Sequence, residues 1–235
     1  MKKIGALVLA GLFIFWWFKD PTVNVSANDI SFGYIVKYAG GAGSGDTLPM
    51  LVALHGNGDT AENFYSTALD QFSVPVRIIL LKGPLSRGRG NAWPWSAADF
   101  LKYGAATNEA IVMLADKFPT TGKPALLGFS GGAMMAYYQA VKQGDSYSYI
   151  FPVSGQLSVS HLGDKKVNPG AKVFAYHGKN DNVLGLGGGK AAVSILKSKG
   201  IHVRFIEFEG DHLGIFTNMK ASITQAIEEK IVTLE

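Results

Sequence analysis

Two kinds of hydrophobic pattern alternate along this chain. The first is a short apolar run with no polar face, at residues 50–54, 76–81 and 124–129. Runs of that length read as strands buried on both sides, as in a parallel sheet covered by helices. The second is helical spacing over longer stretches: 60–72, with Thr60 placed as an N-cap; 99–118, stopped by Pro119; and 133–143. The alternation continues in the second half, with strands expected at 149–153, 172–176 and 203–208 and helices at 190–199 and 215–232. An earlier segment, 30–38, alternates apolar and polar residues and reads as a further strand. This order predicts an α/β fold, a mostly parallel central sheet flanked by helices. Segments 40–46, 82–98 and 185–189 are left as loops, and none is large enough to form a cap domain.

The first residues break the pattern. Lys2 and Lys3 precede an uncharged run from 4 to 18, closed by Lys19-Asp20-Pro21. A positive start and an apolar core of that length fit a secretory signal peptide. The run is short for a spanning helix, which needs about 20 residues. Phe15-Trp16-Trp17-Phe18 suits a membrane interface, so a retained anchor with membrane contact also fits. Val25-Ser26-Ala27 offers small residues for cleavage after Ala27. Residues 1–27 are therefore expected to be a signal peptide or N-terminal membrane anchor. Residues 28–235 are expected to form a single domain outside the cytoplasm, either periplasmic or secreted, or held at the membrane.

Composition narrows the function classes. With 235 residues, 47% of them hydrophobic, the chain can bury one sizeable core. The net charge of +4 comes from scattered basic residues, apart from the N-terminal pair and Arg87/Arg89. No basic stripe interleaved with aromatics points to nucleic acid. There is no cysteine, which excludes disulfides, thiolate catalysis and cysteine-based zinc sites.

The chemistry begins at Gly128-Phe129-Ser130-Gly131-Gly132, which lies between an expected strand and an expected helix. In that setting G-x-S-x-G reads as a nucleophile elbow, a sharp turn that lifts a serine hydroxyl out of the sheet. Two more polar residues, Asp181 and His212, follow the ends of later strands. Ligands of open α/β sheets collect at such strand ends. The order serine, acid, histidine is that of α/β-hydrolases. His212 would take the proton of Ser130, and Asp181 would orient the imidazole. Asp211 is the rival acid, but its place beside His212 on one loop should point it away from the ring. A developing oxyanion needs backbone N–H donors, for which Gly131 and Asn57 are the candidates.

These stretches carry a resemblance. Leu54-His55-Gly56-Asn57-Gly58-Asp59, Gly128-Phe129-Ser130-Gly131-Gly132, His177-Gly178-Lys179-Asn180-Asp181 and Gly210-Asp211-His212 resemble the phospholipase/carboxylesterase group of α/β-hydrolases, which includes acyl-protein thioesterases. They are also similar to dienelactone-hydrolase-like esterases. The resemblance implies an α/β-hydrolase fold without a large cap domain, activity on carboxylic or thio esters, no metal, and an oxyanion hole made by the N–H groups of Asn57 and Gly131. Two departures bear on substrate choice. Many relatives carry glutamine where this chain has Gly131, and proline where it has Gly185.

Other signals are weaker. The segment 82–98 should lie near the site, so Trp93 and Trp95 are candidates for lining a substrate pocket, while Arg87 and Arg89 read as solvated. Residues 185–190 fail the phosphate-loop spacing, because Leu184 and Ala191 stand where glycine and Ser/Thr are required. His55 and Asp59 lack a third metal ligand, and His55 reads as a brace for its turn. His161 and His202 read as exposed. The sequence thus predicts a serine hydrolase cleaving small-molecule carboxylic esters through an acyl-enzyme on Ser130, with no cofactor. A thioesterase, acyl transferase or peptidase on the same triad is the alternative, as is a silent hydrolase fold used for binding.

Overall fold

The computed structural model describes residues 23–163 and 166–234, so 1–22 of the expected leader lies outside the described residues. The chain opens with an antiparallel hairpin, β1 (Val23–Ala27) and β2 (Ile30–Ala39), turned through Asn28 and Asp29 at φ 48° and 62°. Asn and Asp tolerate this left-handed region, and two such residues make the tight turn that suits twisted strands. Ala27, the expected cleavage position, is buried and pairs with Ile30. The sheet therefore includes Val23 to Ala27, ahead of the boundary drawn at residue 28. Small residues serve an edge strand packed under a helix as readily as they serve a cleavage site.

Then come β3 (Met50–Leu54) and α1 (Ala61–Phe64), which runs on into a wider π turn, Tyr65–Leu69. Next are β4 (Val76–Leu81), a small hairpin of β5 (Leu85–Arg87) and β6 (Gly90–Ala92), and α2 (Ala97–Lys117). The elbow unit is β7 (Ala125–Phe129) and α3 (Gly131–Lys142). The last part holds β8 (Tyr149–Val153), β9 (Lys172–Gly178), α4 (Leu186–Ser198), β10 (Val203–Phe208), α5 (Gly214–Thr217) and α6 (Lys220–Ile231).

The eight-stranded sheet runs β1-β2-β4-β3-β7-β8-β9-β10. Among the described residues, only the β1–β2 and β2–β4 pairings of this sheet are antiparallel, so the sheet is mostly parallel, as expected. Alternate side chains of each central strand enter different cores. Met50, Val52 and Leu54 of β3 pack with α2, α3 and α4 on one face. Leu51 and Ala53 pack with α1 and α6 on the other. That is why the strand reads as one unbroken apolar run. Full burial of each such leucine contributes about 1.5–3 kcal/mol. Among the described residues, no large cap domain covers the sheet.

Four expected elements change. The 60–72 helix is an α turn followed by a π turn. The 215–232 helix is broken at Asn218–Met219 into α5 and α6. The glycines at 187–189, expected as loop, form the first turn of α4. Gly189 is there for contact, since a Cβ on it would lie 2.4 Å from Nδ1 of His177. The segment 82–98 carries the β5–β6 hairpin.

Candidate active site

All the strands around the site run parallel, so their C-terminal ends share one edge. Chain connections leave β3 toward β4 on one side and reach β7 on the other, which makes the β3–β7 boundary the topological switch point, where ligands of such sheets collect. The turn after β3 supplies Asn57, and the turn after β7 supplies Ser130. The loops after β9 and β10, beyond β8 on the same edge, supply Asp181 and His212.

Ser130 sits between β7 and α3 at φ 52°, ψ −113°, a conformation costly for any residue with a Cβ. Its N–H donates to Val153 O (3.0 Å), and its carbonyl accepts from Met134 N (3.0 Å) as the helix starts. The glycines around it are fixed by sterics. A Cβ on Gly128 would lie 2.2 Å from Gly132 O, and one on Gly132 would lie 2.2 Å from Leu54 O. Strand, elbow and helix therefore approach closely only with glycine at both positions.

Asp181 is buried and fully engaged. Oδ1 accepts the N–H groups of Val183 and Leu184, each at 2.9 Å. Oδ2 accepts Nδ1–H of His212 at 2.8 Å, which leaves Nε2 of His212 without the proton and free to act as a base. Burial alone would push the Asp181 carboxyl pKa up, but the hydrogen bonds from His212, Leu184 and Val183 outweigh it and hold the carboxyl below its ordinary value. Nε2 of His177 lies 3.3 Å from the same Oδ2, buried and without a hydrogen bond of its own. The His212 ring rests against Phe129, the residue before Ser130, with centroids 5.0 Å apart. Asp211 points elsewhere, its Oδ1 accepting from Leu213 N.

The turn at 55–59 is braced from below. Gly83 N–H donates to Nε2 of His55 (3.0 Å), so Nδ1 carries the proton and donates to Gly56 O (2.7 Å). Burial holds the His55 pKa below its ordinary value, in keeping with a neutral ring. The β5–β6 hairpin is laced to the same turn through Gly58 N to Asn91 O (2.7 Å) and Asn91 N to Asp59 O (2.9 Å). Among the described residues, the N–H groups of Asn57 and Gly131 donate to no protein acceptor.

A cleft of about 440 Å³ opens over Ser130, lined by Asn57, Arg87, Trp95, Val183 and Leu184. Trp95 is 54% exposed and also borders a neighbouring hollow of about 310 Å³ floored by Met134 and Leu157. The two tryptophans thus separate. Trp95 faces the cleft, whereas Trp93 is buried and its Nε1 donates to His55 O (2.9 Å). Arg87, read as solvated, borders the cleft. His161, read as exposed, is buried and stacked on Phe100 at 4.6 Å. Sequence reasoning also missed the side chain of Asn57, whose Oδ1 accepts the Trp93 N–H at 2.7 Å. The one signal for it was the glycine at 131. Among the described residues no cluster of three or more metal-binding side chains forms, and no helix is long and apolar enough to cross a membrane.

Solved structures of similar fold include esterases and an acyl-protein thioesterase. Esterase PE8 superposes with a TM-score of 0.69 at 22% identity, covering 82% of this chain and 99% of that one. A carboxylesterase of Bacillus cereus gives 0.65 at 13% identity, covering 87% and 95%. Acyl-protein thioesterase 2 of Zea mays gives 0.64 at 20% identity, covering 84% and 98%. Comparison with curated proteins returns no match. The phospholipase/carboxylesterase family model matches residues 97–231, more than half of the chain and the part that holds Ser130, Asp181 and His212. By fold and by this match, the chain belongs to the phospholipase/carboxylesterase family of α/β-hydrolases, whose chemistry is the hydrolysis of esters.

Proposed function

We propose that this protein is a serine hydrolase that cleaves carboxylic esters through an acyl-enzyme on Ser130. The observation that carries the reading is the 2.8 Å bond from His212 to the buried Asp181, on the strand edge where the Ser130 elbow lies. Ser130 Oγ attacks the carbonyl carbon and passes its proton to Nε2 of His212. The carbonyl π electrons move to oxygen, and the N–H groups of Asn57 and Gly131 stabilise the resulting oxyanion. Collapse of this intermediate expels the alcohol, which leaves with the proton from His212. Water repeats the sequence on the acyl-enzyme and releases the acid.

The cleft suits a small ester with an apolar part against Trp95, Val183 and Leu184. The setting we propose is outside the cytoplasm, supported by Lys2, Lys3 and the apolar run that follows them. Ser130→Ala should abolish turnover of short p-nitrophenyl esters and labelling by a fluorophosphonate. Undiminished turnover in that variant would overturn the proposal.

A further inference from the structure

Asn57 and Gly131 share one volume. A Cβ built on Gly131 would lie 2.2 Å from Oδ1, 2.4 Å from Cγ and 2.7 Å from Nδ2 of Asn57. The carboxamide therefore lies flat over the Cα of Gly131, in the space where any other residue would begin its side chain. Its orientation is set by chemistry. Trp93 N–H is a donor and demands an acceptor, so the oxygen of the amide faces Trp93 at 2.7 Å. The nitrogen must then face the other way. Asn57 lines the cleft over Ser130, and among the described residues Nδ2 donates to no protein acceptor and is not a buried orphan. Its N–H groups are free for a ligand beside the two backbone donors.

From this geometry we propose that Asn57 is a catalytic residue through its side chain, Nδ2 donating to the oxyanion as a third donor beside the N–H groups of Asn57 and Gly131. Oδ1 anchors the amide, Gly131 makes room for it, and Nδ2 contributes the hydrogen bond. A fixed amide costs little reorganisation as charge develops, which is what makes such a donor effective. The proposal rests on the Ser130 reading given above.

Two variants test it. Asn57→Leu keeps the branched shape, at greater bulk, and the backbone donor, but loses both side-chain bonds. Asn57→Asp keeps an acceptor for Trp93 N–H but has no donor. Each is assayed for kcat and KM on a p-nitrophenyl ester, for Ki of a trifluoromethyl ketone, whose serine adduct carries the oxyanion, and for thermal midpoint. Asn57→Leu should lower kcat about 10- to 100-fold, with KM within about threefold, and raise Ki by a matching factor. Asn57→Asp should lose more activity while keeping a thermal midpoint near that of the wild type. If Asn57→Leu keeps kcat and Ki within about twofold while its midpoint falls, the amide is only a brace for Trp93 and the proposal fails. The same holds if Asn57→Asp alone loses activity, because the charge then explains the loss. If Ser130→Ala stays active, the underlying reading fails instead, so the two failures are distinct.

Discussion

The ring of Phe129 lies 5.0 Å from that of His212 and is tilted 44° to it. One residue thus ends the strand that leads to Ser130 and supports the ring of His212. Phe129 is itself held by Phe216 (5.1 Å, edge-on) and Phe64 (6.2 Å, stacked), so the wall behind the imidazole is rigid. Phe129→Leu, a swap of similar volume, should cost less than about 1.5 kcal/mol of stability. It should lower kcat about tenfold, because the ring of His212 gains freedom around its bond to Asp181. Urea unfolding and steady-state kinetics on one ester measure the two effects. A stability loss with kcat unchanged would show that Asp181 alone orients the base.

Asp181 is held by two backbone N–H groups as well as by His212, so Asp181→Asn should fold. The asparagine oxygen would keep Val183 and Leu184, leaving its NH₂ group toward Nδ1 of His212. The imidazole would then carry its proton on Nε2, the wrong nitrogen for a base. By analogy with other serine hydrolases, kcat should fall about 10⁴-fold with little change in KM. Loss of less than about tenfold would mean that Asp181 does not set the tautomer.

Acid should loosen the fold before the carboxylates titrate. Burial holds His55, His161 and His177 below the ordinary histidine pKa, although Asp181 partly opposes this at His177. The unfolded chain therefore binds more protons than the folded one below about pH 6.5, and stability must fall as pH drops through that range. The depressed Asp181 adds its own loss at lower pH, beginning below the unfolded carboxylate value near 4. The urea midpoint should decline steadily from pH 7.5 to 5, and more gently in His55→Gln. A flat midpoint over that interval would contradict the neutral, doubly bonded His55.

Arg77 lies at the start of β4, far along the sheet from Ser130. Its side chain is fully buried between Tyr38 and Phe118 and donates to Pro119 O (2.7 Å) and Asp46 O (2.9 Å). Arg77→Met keeps much of the volume but loses two part-buried hydrogen bonds, each contributing about 0.5–1.5 kcal/mol. The variant should lose about 1–3 kcal/mol in urea unfolding and retain wild-type kcat. A fall in kcat at full folding would reveal a coupling that the distance along the sheet does not suggest.

The parallel sheet was legible because each central strand feeds both cores and so has no polar face to obscure it. Ser130, Asp181 and His212 stood out because their neighbours, Gly128, Gly132 and Gly178, are glycines that let loops meet. Gly178 shows this directly, since a Cβ there would lie 2.5 Å from Asp211 O. What failed to read was contact without a local signature. The glycines before Lys190 looked like a loop because a sequence does not show His177 lying against Gly189. Trp93 and Trp95 looked alike two residues apart, although one points into the core and the other into the cleft. Arg77 sat inside an apolar run, and its partners are backbone carbonyls, which leave no mark in side-chain patterns.

The lacing of the β5–β6 hairpin onto the 55–59 turn has a mechanical consequence. Asn91 bonds to that turn on both sides, and Trp93 bonds it through His55 and Asn57. Trp95, two residues further on, is where a substrate would press. The wall of the cleft and the turn that carries Asn57 are thereby tied into one braced unit, so a displacement at Trp95 is carried by Trp93 to that turn.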